Sequence, residues 1–181
     1  MLAILLTPGA WAADAASSPA QTASAPTGRP PIEELFAGTL TWRRRAAGEQ
    51  EPPLSRSVES WGYAGPRPLA RTDVIEPKRG DQFGMLLVAN TSVLKGAVGR
   101  LKFITRAPEP GIRAPGDDKA QRVFEREFTC IADTVCDAEW VFDHPWEIVP
   151  GTWEFEIRSR DGTQRLTHYF TVVAPAPGTP I

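Results

Sequence analysis

Residues 145–173, PWEIVPGTWEFEIRSRDGTQRLTHYFTVV, decide the fold. From Thr152 onward apolar Trp153, Phe155 and Ile157 alternate with charged Glu154, Glu156 and Arg158. A strand sends successive side chains to opposite faces, so this alternation predicts one buried face and one wetted face. Asp161-Gly162 then marks a tight turn, because glycine takes positive φ without steric cost. Alternation resumes with Leu166, Phe170 and Val172 on one side and Thr167, Tyr169 and Thr171 on the other. Val149-Pro150-Gly151 makes a corner ahead of the hairpin. A lone hairpin is not stable in water, so its apolar face requires a second sheet.

The rest of the chain offers the strands for it. Glu34–Trp42 reads as a first strand with Phe36, Leu40 and Trp42 on one face, and Ser57–Tyr63 as a short second one. Ala70–Ile75 reads as an edge-like strand ending before Pro77, and Gln82–Ala89 as an apolar strand buried on both sides. Gly99–Thr105, Arg122–Cys130 and Ala138–Phe142 complete the set, while the proline- and glycine-rich run Arg106–Asp118 predicts a long loop. Short strands separated by turn signals, with little or no amphipathic helix, predict an all-β, immunoglobulin-like antiparallel sandwich of roughly eight or nine strands.

Length and composition fit one such domain. The chain has 181 residues and a formal net charge of −2, which argues against nucleic acid as an electrostatic partner. Arg43-Arg44-Arg45 is the only compact basic cluster and reads as a solvated strand end. Residues 1–12 read as a signal peptide: Met1–Leu6 is apolar, Thr7-Pro8-Gly9 breaks the run, and Ala10-Trp11-Ala12 suits cleavage before Ala13. No Lys or Arg precedes that apolar run, and it is far too short for a membrane span. Residues 13–32 read as an Ala/Ser/Pro-rich linker, 33–173 as the domain and 174–181 as a flexible tail. The expected location is the periplasm or the medium.

Cys130 and Cys136 sit at the ends of one five-residue hairpin loop between two predicted strands, and in an exported protein they are expected to form a disulfide. A redox pair has a shorter spacing, and a structural zinc site needs four ligands. The chain has two histidines. His168 falls among the inward-facing residues and reads as partly buried and structural, whereas His144, in Asp143-His144-Pro145-Trp146, sits where loops carry function. No nucleophile elbow or histidine pair at metal spacing occurs, and Asp117-Asp118 lacks the acidic ladder that calcium requires. No cofactor or metal is expected. Trp61, Tyr63, His144 and Trp146 are the candidate binding residues, since aromatics beside loops stack on sugars or anchor partners.

The corner Trp146–Trp153, followed by Phe155 and closing in Phe170-Thr171-Val172, resembles the domain-of-unknown-function family numbered 3859. Trp61-Gly62-Tyr63, and Thr72 followed by Pro77, Gly80 and Gln82-Phe83-Gly84, are similar to it as well. The resemblance implies a small, β-rich bacterial domain and assigns no catalytic residues. The expected function is a non-catalytic exported domain that binds a protein or an envelope component. Two rivals are a carbohydrate-binding module using the exposed aromatics and a hydrolase whose carboxylates meet only in the fold.

Overall fold

The computed structural model describes residues 30–41 and 65–175. The predicted signal peptide, the Ser57–Tyr63 strand with Trp61 and Tyr63, Trp42 and the Arg43–Arg45 cluster lie outside the described residues. Nine strands build two sheets among those described: β1 (Ile32–Thr41), β2 (Arg67–Arg71), β3 (Val74–Ile75), β4 (Gln82–Ala89), β5 (Val98–Arg106), β6 (Val123–Ile131), β7 (Val135–Val141), β8 (Gly151–Ser159) and β9 (Arg165–Val172). One sheet has the order β2-β1-β4-β7 and the other β3-β9-β8-β5-β6. All pairings are antiparallel except β3 with β9. The only α-helix among the described residues is one turn, α1 (Thr91–Leu94), capped by the Asn90 side chain. The immunoglobulin-like sandwich is therefore the observed architecture.

The β8–β9 hairpin folds as its alternation predicts. Trp153, Phe155, Ile157, Phe170 and Val172 are buried between the sheets, and Leu166 packs partly buried against them. Phe83 of β4 sits at the centre, its ring 5.0–5.8 Å from those of Phe142, Trp153, Phe155 and Phe170. Burying each such side chain stabilises by roughly 1.5–3 kcal/mol. The Trp153 indole also donates to the Val149 carbonyl at 2.8 Å, so its one polar atom is satisfied inside the core. Gly151, at φ +130°, holds the corner against the long loop, where a Cβ would meet Pro108 at 2.8 Å.

β4 is buried on both faces, as its unbroken apolar run predicts. Phe83, Met85, Leu87 and Ala89 face the five-stranded sheet, whereas Leu86 and Val88 join Leu35, Phe36, Leu40 and Val135 in a second cluster. Register slips by one residue between Glu34 and Phe36, and this bulge lets Leu35 and Phe36 enter the same cluster. The predicted Phe36–Leu40 face thus belongs to the second cluster, not to the main core.

Two expectations are corrected. Ala70–Ile75 is not one strand: Thr72 breaks it, its hydroxyl accepting from the Val74 N–H at 3.1 Å and donating to the Val74 carbonyl at 3.0 Å. The chain crosses there from one sheet to the other. The cysteines are disulfide-bonded, but they do not close a hairpin. β6 and β7 lie in different sheets, so the bond ties the two layers together.

Candidate functional site

His144 and Trp146 come together at the entrance to the corner. Pro145–Glu147 forms one turn of 3-10 helix, whose Glu147 carboxylate accepts from the His144 N–H at 2.9 Å. This turn stacks the two rings at 4.8 Å and 14°. His144 is exposed, while Trp146 is half-buried and packs on the main core. Arg79 Nε donates to the Asp143 carbonyl at 3.0 Å and anchors the loop from the β3–β4 side. Because the rings are stacked on one another, they do not form the side-by-side platform on which a sugar lies. Trp61 and Tyr63 lie outside the described residues, so no geometry connects them to this pair.

His168 lies on the inner face of β9, with its side chain 17% exposed. Its Nδ1 is 2.9 Å from Glu34 of β1, and its Nε2 is 2.9 Å from Asp73 between β2 and β3. Burial alone would lower its pKa, but hydrogen bonds and charge from Glu34 and then Asp73 outweigh burial and raise it. Both ring nitrogens are engaged with carboxylates, which leaves neither free to act on a substrate. The constellation is a clasp between the sheets.

The predicted wet face of β8 needs correction as well. Glu156 is 2% exposed. Arg106 Nη1 donates to Glu156 at 2.8 Å and to Glu154 at 2.6 Å, and the Arg158 guanidinium also hydrogen-bonds Glu156. Desolvation raises the carboxyl's pKa, yet the hydrogen bonds from Arg158 and Arg106 win and hold it below its usual range. A general acid needs the opposite shift. Among the described residues no three His, Cys, Asp or Glu side chains are grouped to hold a metal ion.

The remaining feature is the margin of the five-stranded sheet. β6 pairs only with β5. Ala107 N–H donates to the Arg122 carbonyl and Ala132 N–H to the Ala97 carbonyl, both at 2.8 Å. In an antiparallel ladder these bonds alternate, so even-numbered residues of β6 bond β5, while odd-numbered ones turn their N–H and C=O to the free side. At the ends that free side is satisfied locally: Gln121 Nε2 donates to the Val123 carbonyl, and Thr134 donates to that of Ile131. Between them the outward backbone groups of Glu125, Glu127 and Thr129 meet no side chain or strand among the described residues. Val123 is 44% exposed and Ile131 55%. On the inner side of this edge lies a cleft of about 230 Å³, lined by Phe128, Ile131, Val135 and Cys136 with Arg126 and Asp137.

The sequence reading did not single out this edge. A signal for it existed in Glu125-Arg126-Glu127, which places charge on both faces of one strand, as edge strands do. Nothing in the sequence pairs His168 with Asp73 and Glu34, which are 95 and 134 residues away.

No family model matches the chain, and no curated protein sequence matches it. Among solved structures, the chain is similar to an immunoglobulin-like protein from Pseudomonas aeruginosa, with a TM-score of 0.53 and 17% sequence identity over 80% of this chain and 93% of the other. At that identity the likeness concerns the fold.

Proposed function

We propose that this chain is an exported, non-catalytic β-sandwich domain that binds another protein or a component of the cell envelope. The open backbone of β6 from Glu125 to Thr129, bracketed by exposed Val123 and Ile131, carries this reading. A free edge of this length is a template for an added strand. The lowered pKa of Glu156 and the doubly engaged His168 argue for structural rather than acid–base roles. Export is supported by the Cys130–Cys136 disulfide, which suits an oxidising compartment, and by the apolar Met1–Leu6 run ahead of Ala10-Trp11-Ala12. The resemblance to the family numbered 3859 is part of the same reading.

The test is a photo-cross-linker placed singly at Glu127 and, for comparison, at Thr163 in the β8–β9 turn, in the full chain expressed in the source organism. A discrete adduct at 127 and none at 163 is the expected result; no adduct at 127 defeats the reading. Intact-mass measurement of the mature protein checks export through loss of residues 1–12.

A further inference from the structure

Resting on that reading, we propose that β6 accepts an extended segment of another protein as an additional strand, one carrying Lys or Arg at alternate positions with apolar residues between them. The outer face of the five-stranded sheet is striped by charge. β6 presents Glu125 and Glu127, β5 presents Arg100, Lys102 and Arg106, and β8 presents Glu154 and Glu156 with Arg158 opposite Lys102. The stripes interact directly, Arg100 with Glu127 at 3.3 Å and Arg106 with Glu154 and Glu156. Opposite charges on facing positions of neighbouring strands stabilise a sheet, and like charges destabilise it. β6 is the acidic stripe at the margin, with a basic neighbour on one side and none on the other. Glu125 makes no ion pair among the described residues.

The side chains of an added strand alternate across the sheet. Those on the outer face would stand opposite Glu125, Glu127 and Thr129, where two cations are favoured. Those on the inner face would enter the cleft between β6 and β7, which Phe128, Val135 and the disulfide line together with Arg126 and Asp137. Backbone hydrogen bonds supply the affinity of such an addition, and alternate side chains its selectivity.

The same charges argue against a second copy as the occupant. In two-fold antiparallel pairing, residues facing each other share a side of the sheet. The register using the whole open run is centred on Glu127 and sets that carboxylate against its own copy. Registers centred on Glu125 or Arg126 again oppose glutamates, and one centred on Phe128 sets Glu127 against Thr129 and Glu125 against Ile131, with no opposite charge to favour it. This chain's own terminal sequences do not fit either: residues 13–31 hold one basic residue, Arg29, and residues 174–181 hold none. The Arg43-Arg44-Arg45 run is consecutive, so its charges would fall on both faces of a strand.

Two labelled nine-residue peptides, (Lys-Val)4-Lys and (Glu-Val)4-Glu, test the proposal by fluorescence anisotropy against the full chain. The lysine peptide is expected to bind at least about ten-fold more tightly, with the margin shrinking in high salt. Glu125→Lys combined with Glu127→Lys reverses the preference; the new lysine at position 127 would face Lys102, so circular dichroism checks that the variant is folded. Thr129→Pro removes one outward N–H and lowers lysine-peptide binding by about ten-fold or more, with circular dichroism reporting the fold. Equal binding of the two peptides, or lysine-peptide binding indifferent to Thr129→Pro in a folded variant, overturns the proposal. So does a wild-type dimer that Thr129→Pro converts to monomer, which would assign the edge to a second copy. A cross-link at Glu127 without charge discrimination removes only the basic chemistry and leaves the broader binding reading standing.

Discussion

Glu34 of β1 lies 2.9 Å from Nδ1 of His168 on β9, joining the two sheets through one imidazole whose Nε2 is held by Asp73 at the same distance. Both nitrogens can donate only when the ring is protonated. The clasp is therefore strongest as an imidazolium between two carboxylates, at the point where the chain leaves one sheet for the other.

Its pH dependence has a definite sign. Burial opposes the raised pKa of His168, but Glu34 and Asp73 carry it above the reference value of 6.5. A group whose folded pKa is raised binds its proton more tightly in the native state. Its stabilisation is full below pH 6.5 and is lost as pH rises through the folded value. Urea midpoints measured from about pH 6 to about pH 9 should fall in the wild type relative to His168→Gln. Parallel curves for the two proteins would refute the assignment. Below pH 6.5, His168→Gln should cost about 1–3 kcal/mol.

Glu156 should matter more than its neighbour. Glu156→Gln leaves the Arg106 and Arg158 guanidiniums without their shared, covered carboxylate and should cost about 1–3 kcal/mol. Glu154 is less buried, and Glu154→Gln should cost less than about 1 kcal/mol. Denaturant unfolding at neutral pH compares the two. Because the carboxyl of Glu156 is held below 4.5, its contribution is present above that pH and is lost as pH falls through the folded value.

Cys130→Ser with Cys136→Ser removes the link between β6 and β7. Loop entropy for so short a ring predicts a loss of about 2 kcal/mol. Unfolding of the wild type in reductant should converge on that of the double variant, and a difference between them would mean the thiols act otherwise.

Gly84→Ala should loosen the four-stranded sheet. A Cβ at 84 would meet the Ala138 carbonyl oxygen at 2.2 Å and Glu139 Cα at 2.7 Å, both rigid backbone atoms of β7. The expected cost is about 1–3 kcal/mol by thermal or urea unfolding, with β7 amides losing protection from hydrogen exchange first.

Much of the fold was readable where one local rule governed each residue. Trp153, Phe155, Ile157, Phe170 and Val172 alternate, so a single sheet face explains all of them. β4 was readable because eight consecutive residues, all apolar apart from Gln82 and Gly84, can be buried on both faces. The misreadings occur where a distant group changes a local preference. Glu156 alternates as a solvent residue, but Arg106 and Arg158 cover it. Thr72 interrupts a strand through a hydroxyl bond that a propensity does not encode.

The site divides in the same way. His144 and Trp146 were singled out as candidates from their place beside a turn, and the 3-10 turn that stacks them is local. The open margin of β6 was not visible, because a strand becomes an edge only through what fails to pair with it. Sequence alone determined the period-two burial, the corner at Pro150-Gly151 and two cysteines close enough along the chain to bond, since side-chain alternation and turn geometry act over a few residues. Tertiary structure decided that the disulfide crosses the layers, that His168 meets two carboxylates, and that an acidic strand lies at the sheet's margin. Those outcomes depend on strand order, which is set by packing between segments separated by up to 134 residues rather than by any local preference.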